Sequence, residues 1–399
     1  MVPFVLLCVL PSFAIACLAT AAMRRIAPRV GLIDRPAARK VHTTPTPLGG
    51  GVGIVLGVLL PACGAMFAAA KPELFDAVLP TQVAELLGGV SLRAGMLTRV
   101  VIAGAVIAAV GLWDDARGLG WPVRLGVQFA VAIGLVASGI QATVFLNAEW
   151  VGQVVTVIWI VGLINSFNFL DNMDALSSGI GLIASTLFAI VMLAMSSEPR
   201  WLVGGMLLTI VGSTAGFLVH NRPPAKIFMG DAGSTFLGLM LAVLTISGTF
   251  YAEESGGRHV LLAPLCILAV PLYDTITVVV IRLLDGRSPF QPDKCHFSHR
   301  LVELGLSRTS AVLTIHLATL TTGLGALLLF RLRSWAEASI VVGLVACVLL
   351  IVLILETAGR RSAGQRQAGD GMPATPVRVD AARSVTSDAT HEAAEEAST

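Results

Sequence analysis

Apolar residues fill long uninterrupted stretches of this chain, separated by short polar segments. A run of about 20 apolar residues is long enough to cross the hydrocarbon core of a bilayer as a helix. About eleven such runs are present, over residues 2–22, 48–70, 97–113, 122–140, 151–165, 175–196, 201–219, 232–250, 259–282, 309–331 and 335–355. The fifth is short enough to be a partial span. In lipid every backbone N–H and C=O needs a partner within the protein, so these runs predict helices. The polar–apolar alternation of a transmembrane β-barrel strand is missing from them. The pattern predicts an all-α polytopic integral membrane protein.

The basic residues give this array a direction. Arg24, Arg25, Arg29, Arg35, Arg39 and Lys40 follow the first run, Arg222 and Lys226 the seventh, and Arg287, Lys294, Arg300 and Arg308 the ninth. Basic loops stay in the cytoplasm, which predicts an external N-terminus and a cytoplasmic C-terminus. Arg331 and Arg333 are a mild exception on the other side. No Lys or Arg precedes the first run, the reverse of a signal peptide, so a retained first helix is expected. After Thr357 the chain turns rich in Ala, Ser, Thr, Arg and Glu. A membrane domain over 1–357 and a disordered cytoplasmic tail over 358–399 are expected. Composition agrees: 55% of residues are hydrophobic and 13% charged, against about 25% charged in soluble domains. Six cysteines are present, but none has the pair spacing of a zinc cage or disulfide framework.

In so apolar a chain the polar clusters stand out, and ionisable residues at membrane depth are functional candidates. Five clusters occupy the predicted cytoplasmic ends of helices. Arg39, Lys40 and His42 precede Gly49-Gly50-Gly51 and suit either an anionic substrate or a positive-inside anchor. Asp114 and Asp115 end the third helix, where the dipole disfavours acids and a cation such as Mg²⁺ or Arg124 would compensate. Asn165 through Asp174 offers two carboxylates and three amides beside apolar residues; Asp171 and Asp174 share a face if helical. His220 through Ser234 contains Gly230 and Gly233, which allow close backbone approach to a phosphate. Ser234 and the start of the eighth helix could supply N–H donors to an anion. Asp231 there suits a metal or an N-cap. His296, His299 and Arg300 precede the tenth helix and suit an anion clamp or a plain basic surface loop. Asp274 lies inside the ninth run as an intramembrane acid in need of a cation. Many acids interspersed with bases at one membrane face suggest Mg²⁺ bound together with phosphates.

Several of these stretches carry a family resemblance. They are Trp113-Asp114-Asp115, Asn165 through Asp174, Phe228 through Ser234, His296 through Arg300, and Arg39 through Gly50. In this order, over roughly residues 20–330, they resemble the polyprenyl-phosphate N-acetylhexosamine-1-phosphate transferases of glycosyltransferase family 4. The resemblance implies a helical enzyme of the inner (plasma) membrane with its active site facing the cytoplasm. It implies a UDP-N-acetylhexosamine donor, an undecaprenyl phosphate acceptor, release of UMP, and Mg²⁺ as cofactor with Mn²⁺ as the alternative ion. Carried over position by position, Asp231 is the metal ligand with Asn168 assisting. Asp114 and Asp115 lie near the acceptor phosphate, one of them a candidate base, and Arg124 contacts the lipid phosphate. Asp171, Asp174, Asn221 and Phe228 belong to substrate binding, with Phe228 stacking on uracil. His299 and Arg300 contact the donor diphosphate or sugar. Lys40, His42 and His296 join the substrate-binding set. The bilayer is the other partner, no nucleic acid is expected, and a homodimer is left open.

Three departures mark this chain. Asp171-Asn172-Met173-Asp174-Ala175 lacks the glycines that commonly flank the second acid. Ser298 replaces a histidine, and Arg124 replaces a lysine, which keeps charge but changes geometry. The last loop is less His-rich than in the branch that uses UDP-muramoyl-pentapeptide, so a donor of the UDP-GlcNAc type is expected, with that branch as the alternative. A secondary transporter is the rival from another class, but it would place acids at the bilayer midplane rather than at helix ends. A non-catalytic lipid-binding scaffold and a CDP-alcohol phosphotransferase fit the acid pattern less well. The reaction would exchange one phosphoanhydride for another, so no ATP site is needed, and no Walker A pattern is present.

Overall fold

Every apolar run becomes helical, and local residues mark the ends. The computed structural model describes residues 1–36, 44–75, 79–142, 148–196, 198–249, 258–288 and 295–370. The helices are α1 (Val2–Ile26), α2 (Gly51–Ala70), the short α3 (Thr81–Ala84) and α4 (Leu87–Leu92), α5 (Ala94–Arg117), α6 (Trp121–Ala137), α7 (Glu149–Leu170), α8 (Leu176–Ile190), α9 (Trp201–Asn221), α10 (Asp231–Thr249), α11 (Ala263–Ile267), α12 (Ala269–Leu284), α13 (Phe297–Glu303), α14 (Arg308–Leu329) and α15 (Trp335–Asp370). Gly118, at φ 68°, ends α5 in the left-handed conformation, its N–H donating to Asp114 O at 2.8 Å, as glycine C-caps do. Pro122 opens α6, where its missing N–H is harmless. Ser307 caps α14 by accepting the Ser310 N–H, the usual N-cap arrangement. Strands β1 (Ile33–Asp34) and β2 (Thr46–Pro47) pair antiparallel, Ile33 opposite Pro47.

Among the described residues, nine helices are long and apolar enough to cross a membrane, and a tenth span results if the pair His259–Ile267 and Ala269–Leu284, bent by 69°, is counted as one. The short fifth run lengthens to α7 with 22 residues. Helix α6 is a shorter apolar helix of 17 residues. The chain is an all-α polytopic membrane protein. Helix α15 continues past residue 357 to Asp370, so the expected tail begins with helix. The expected site residues Lys40 and His42, with Arg39, lie outside the described residues, as does the tail beyond 370.

Helix α10 is the axis of the bundle: 89% of its apolar window is buried, against 11% for α1 and 17% for α15. It packs on α7 and α5, while α1 packs on α9 and α2. Two close crossings set where α10 begins. A Cβ on Gly51 of α2 would meet the backbone of Gly233 in the first turn of α10, and the Met229 carbonyl at 2.9 Å. A Cβ on Gly111 of α5 would sit 2.6 Å from the backbone of Asp231 and Ala232. Backbone therefore rests on backbone on both sides of residues 229–233, with Gly51 N–H donating to Met229 O at 2.9 Å.

This crossing yields a paired prediction within one helix. Gly51→Ala should destabilise the detergent-solubilised protein by about 2 kcal/mol or more, because a methyl group forced into packed backbone cannot be accommodated by side-chain movement. Gly64→Ala, where nothing lies within 4 Å, should be neutral or stabilising by up to about 1 kcal/mol. Thermal unfolding of the two variants beside the unmodified protein checks both.

Candidate active site

The site is built on the start of α10. The first N–H groups of a helix have no partner within it and carry partial positive charge. Here two carboxylates from other segments take them. Asp115, in the last turn of α5, accepts from Asp231 N at 2.9 Å and Ala232 N at 3.3 Å. Asp171, at the turn after α7, accepts from Gly230 N at 3.2 Å. Gly230 is at φ 75°, and a Cβ there would lie 2.5 Å from the Asp115 carboxylate, so glycine is needed for both conformation and room. The Gly233 and Ser234 N–H groups donate to Gly230 O. These N–H groups are thus engaged by the protein and do not form the anion cradle expected from sequence. Nor is Asp231 the N-cap: it is the first helical residue, and its carboxylate faces the cluster.

That cluster is compact. Arg124 Nη1 lies 2.6 Å from Asp114 Oδ2 and 2.7 Å from Asp231 Oδ2. Asp114 Oδ1 also accepts the Leu119 N–H. Asn168, in the last turn of α7, donates its amide to Asp231 Oδ1 at 2.9 Å and to Ser234 Oγ at 3.2 Å, which leaves its Oδ1 without a hydrogen-bond partner among the described residues. The structure thereby brings together Asp114, Asp115, Asp171, Asp231, Asn168 and Arg124, from four separate segments. Burial first, and the charge of Asp115 second, push Asp171 up to about 7.

Other expected residues surround this centre in different roles. Asp174 Oδ2 accepts the Ala225 N–H at 2.9 Å. Asn221 is buried; its Oδ1 accepts from Ala175 N at 2.8 Å and its Nδ2 donates to Ile227 O at 2.9 Å. Both residues tie the 171–175 corner to the segment entering α10. Ala175 stands there at φ 63°, a conformation glycine adopts more readily. Phe228 is half-buried, and its N–H and carbonyl pair with Pro47 and Gly50.

Helix α13 carries the last cluster. The buried His296 ring lies 5.8 Å from Phe169 and 6.4 Å from His299, with Nδ1 2.9 Å from Asp274 Oδ2. Ser298 Oγ donates to Asn172 Oδ1 at 2.6 Å. Arg300 is placed away from the carboxylate centre. It is 3% exposed, its Nε is 3.3 Å from Glu356 Oε2 of α15, and its Nη2 donates to Thr277 Oγ1 at 2.9 Å. The Tyr273 hydroxyl donates to the same Glu356 carboxylate at 2.9 Å.

Two further charges are buried near this site. Arg282, 2% exposed, sets its guanidinium 5.5 Å from the centre of the Phe169 ring. Glu356 is 2% exposed. Each ends an otherwise apolar run, and the high energy of a charge at membrane depth is the signal that finds them.

The cluster offers oxygen atoms only, the ligand type Mg²⁺ takes while keeping waters and phosphates in its shell, but Asp114 and Asp231 pair with Arg124 while Asp115 and Asp171 accept backbone N–H groups. Among the described residues no group of three or more His, Cys, Asp or Glu side chains is placed to hold a metal ion. An ion here would complete its shell with substrate and solvent oxygens.

Comparison with known proteins identifies the class. The profile of glycosyl transferase family 4 matches residues 97–249, the stretch from α5 through α10 that contains the whole carboxylate cluster. A probable undecaprenyl-phosphate N-acetylglucosaminyl 1-phosphate transferase of Bacillus subtilis is 31% identical over 330 residues, 81% of this chain and 84% of that one. A decaprenyl-phosphate N-acetylglucosaminephosphotransferase of Mycobacterium tuberculosis is 35% identical over 322 residues, 75% of this chain and 76% of that one. An undecaprenyl-phosphate alpha-N-acetylglucosaminyl 1-phosphate transferase of Escherichia coli is 25% identical over 310 residues. The chain belongs to glycosyl transferase family 4, a family of membrane-embedded sugar-phosphate transferases.

Two predictions arise from the buried charges. Glu356→Ala leaves Arg300 buried without its counter-charge and should destabilise the protein by about 3–5 kcal/mol, whereas Arg300→Met with Glu356→Leu should recover most of that loss. Melting temperatures in detergent decide it. For Asp171, the folded group keeps its proton up to about 7, while the unfolded group loses it near ~3.9. Between these values the folded state binds more protons, so this group makes stability fall as pH rises through the window, and the loss is complete above it. Asp171→Asn keeps an acceptor for Gly230 and lacks this loss. Its melting temperature relative to the unmodified protein should rise between about pH 4 and 7 in chelator-treated samples.

Proposed function

We propose that the protein transfers N-acetylglucosamine-1-phosphate from UDP-N-acetylglucosamine to undecaprenyl phosphate, with release of UMP, as the first membrane step of a cell-envelope polysaccharide. The observation that carries this reading is the convergence of Asp114, Asp115, Asp171 and Asp231 on the start of α10 with Arg124 between two of them. The names carried by the relatives support the sugar and the polyprenyl acceptor. The basic loops support a multi-pass protein of the plasma membrane with this site on the cytoplasmic side.

In the reaction, an oxygen of the acceptor phosphate attacks the β-phosphorus of the UDP-sugar. A new P–O bond forms, the anhydride P–O bond to the α-phosphate breaks, and UMP leaves with the electron pair. The acceptor is a phosphate monoester with a second pKa near ~6, so it is largely ionised at neutral pH and has little need of a general base. The larger obstacle is bringing two polyanions together. Asp231, with the Asn168 Oδ1, would hold Mg²⁺, which when bound neutralises diphosphate charge. Arg124 exchanges a carboxylate for the acceptor phosphate, and Asp114 holds it in readiness. Asp115 and Asp171 keep the start of α10 in place. Phe228 serves the nucleobase, while Asp174 and Asn221 shape its surroundings. His299 and His296 serve the donor, and Arg300 acts by fixing α13 rather than by touching substrate. No observation favours the muramoyl-pentapeptide or transporter alternatives.

The test is transfer of label from a panel of UDP-sugars to undecaprenyl phosphate by purified protein in detergent with Mg²⁺. Transfer from UDP-N-acetylglucosamine is expected, lost on chelation. It should fall by about 10²–10³-fold or more in Asp231→Asn, the range seen when a group that stabilises transition-state charge is removed. No transfer from any donor, beside an active relative in the same micelles, would refute the reading.

A further inference from the structure

Asp274 has no part in the reaction just described, yet it is fully buried in α12, the limb that follows the 69° bend. A carboxylate in such a place needs partners, and both of its oxygens have one at the start of α13. Oδ1 accepts the Phe297 N–H at 2.6 Å, and Oδ2 lies 2.9 Å from His296 Nδ1. His296 is the N-cap residue of α13 and makes no side-chain cap of its own. The cap is supplied instead from another helix, and the same carboxylate orients the ring. Carboxylate oxygens accept hydrogen bonds and do not donate, so the ring meets Asp274 through a protonated Nδ1. Nε2 has no hydrogen-bond partner among the described residues, and the ring borders Phe169, next to Asn168, which holds Asp231.

We infer that Asp274 is a positioning residue for the transfer reaction: it fixes His296 with its proton on Nδ1 and commits Nε2 to the sugar-nucleotide donor. The inference rests on the reading of His296 as a donor-binding residue. Orientation of an imidazole by a buried carboxylate is the arrangement that sets its tautomer in hydrolytic triads and in metal sites.

Asp274→Asn separates the two tasks of this side chain. The amide oxygen still accepts from Phe297, so α13 keeps its cap, but the NH₂ now faces the ring and requires a bare Nδ1. Nitrogen-15 spectra of histidine-labelled protein, with His296→Ala to assign the signal, should show Nδ1 protonated in the unmodified protein and bare in Asp274→Asn. The KM for UDP-N-acetylglucosamine should rise about 10-fold or more while the KM for undecaprenyl phosphate changes by less than about twofold, a loss of the size typical of outer-shell partners. Because Asp274 acts through the ring, Asp274→Asn combined with His296→Ala should be no worse than His296→Ala alone. A bare Nδ1 in the unmodified protein, an unchanged donor KM in Asp274→Asn, or a double variant showing the product of the two single losses would each overturn the inference. Failure of the proposed reaction is distinguishable, since it would appear as no transfer by the unmodified protein while the spectrum still reports the Nδ1 proton.

Discussion

The start of α10 is a bundle of backbone N–H groups at the end of the most buried of the candidate membrane spans among the described residues. Left unpaired, each such group is costly in a medium without water. The protein satisfies them with Asp115 from the end of α5 and Asp171 from the turn after α7. Much else depends on that solution. It fixes three segments relative to one another and forces glycine at 230. It also turns the Asp231 side chain toward Asp114, Arg124 and Asn168. The close crossings at Gly51 and Gly111 serve the same end, since they let α2 and α5 approach until the carboxylates reach.

The resulting centre is electrostatically unfinished. Asp114 and Asp231 share Arg124, and Asp171 is pushed up to about 7 by burial and the nearby Asp115. Around the centre the polar contacts are of another kind. Asp174, Asn221, Asn172 and Ser298 bond to backbone or to each other and join corners of the chain.

Much of this was legible in the sequence because the chain is so apolar. The helical runs could be read from length alone, and α10's Asp231, α5's Asp114 and α7's Asn168 stood out as polar residues at helix ends. Individual roles were harder to read. Asp114 and Asp115 are neighbours in sequence, yet one faces Arg124 and the other closes a helix; only the rotation of α5 against α10 separates them. Asn221 belongs to the substrate-binding set only through the family resemblance, while the structure spends its amide on the Ala175 N–H and the Ile227 carbonyl. Arg300 resembled an anion-binding residue by its place beside His299. Its partner, Glu356, lies far along the chain on α15, and no local spacing could signal the pairing. The bend between α11 and α12 has a local cause: Pro271 has no N–H to give the Ile267 carbonyl, so one helix cannot run unbroken across Leu268.

The ion pair between Arg300 and Glu356 also bears on the order in which the molecule is made. Synthesis proceeds from the N-terminus, so α13 leaves the ribosome well before the end of α15 does. Until α15 is inserted, Arg300 has no counter-charge from Glu356, and Tyr273 lacks the carboxylate to which it donates. Asp274 of α12 and Asn172 hold the start of α13 without it; what α15 adds is the counter-charge that makes the burial of Arg300 tolerable.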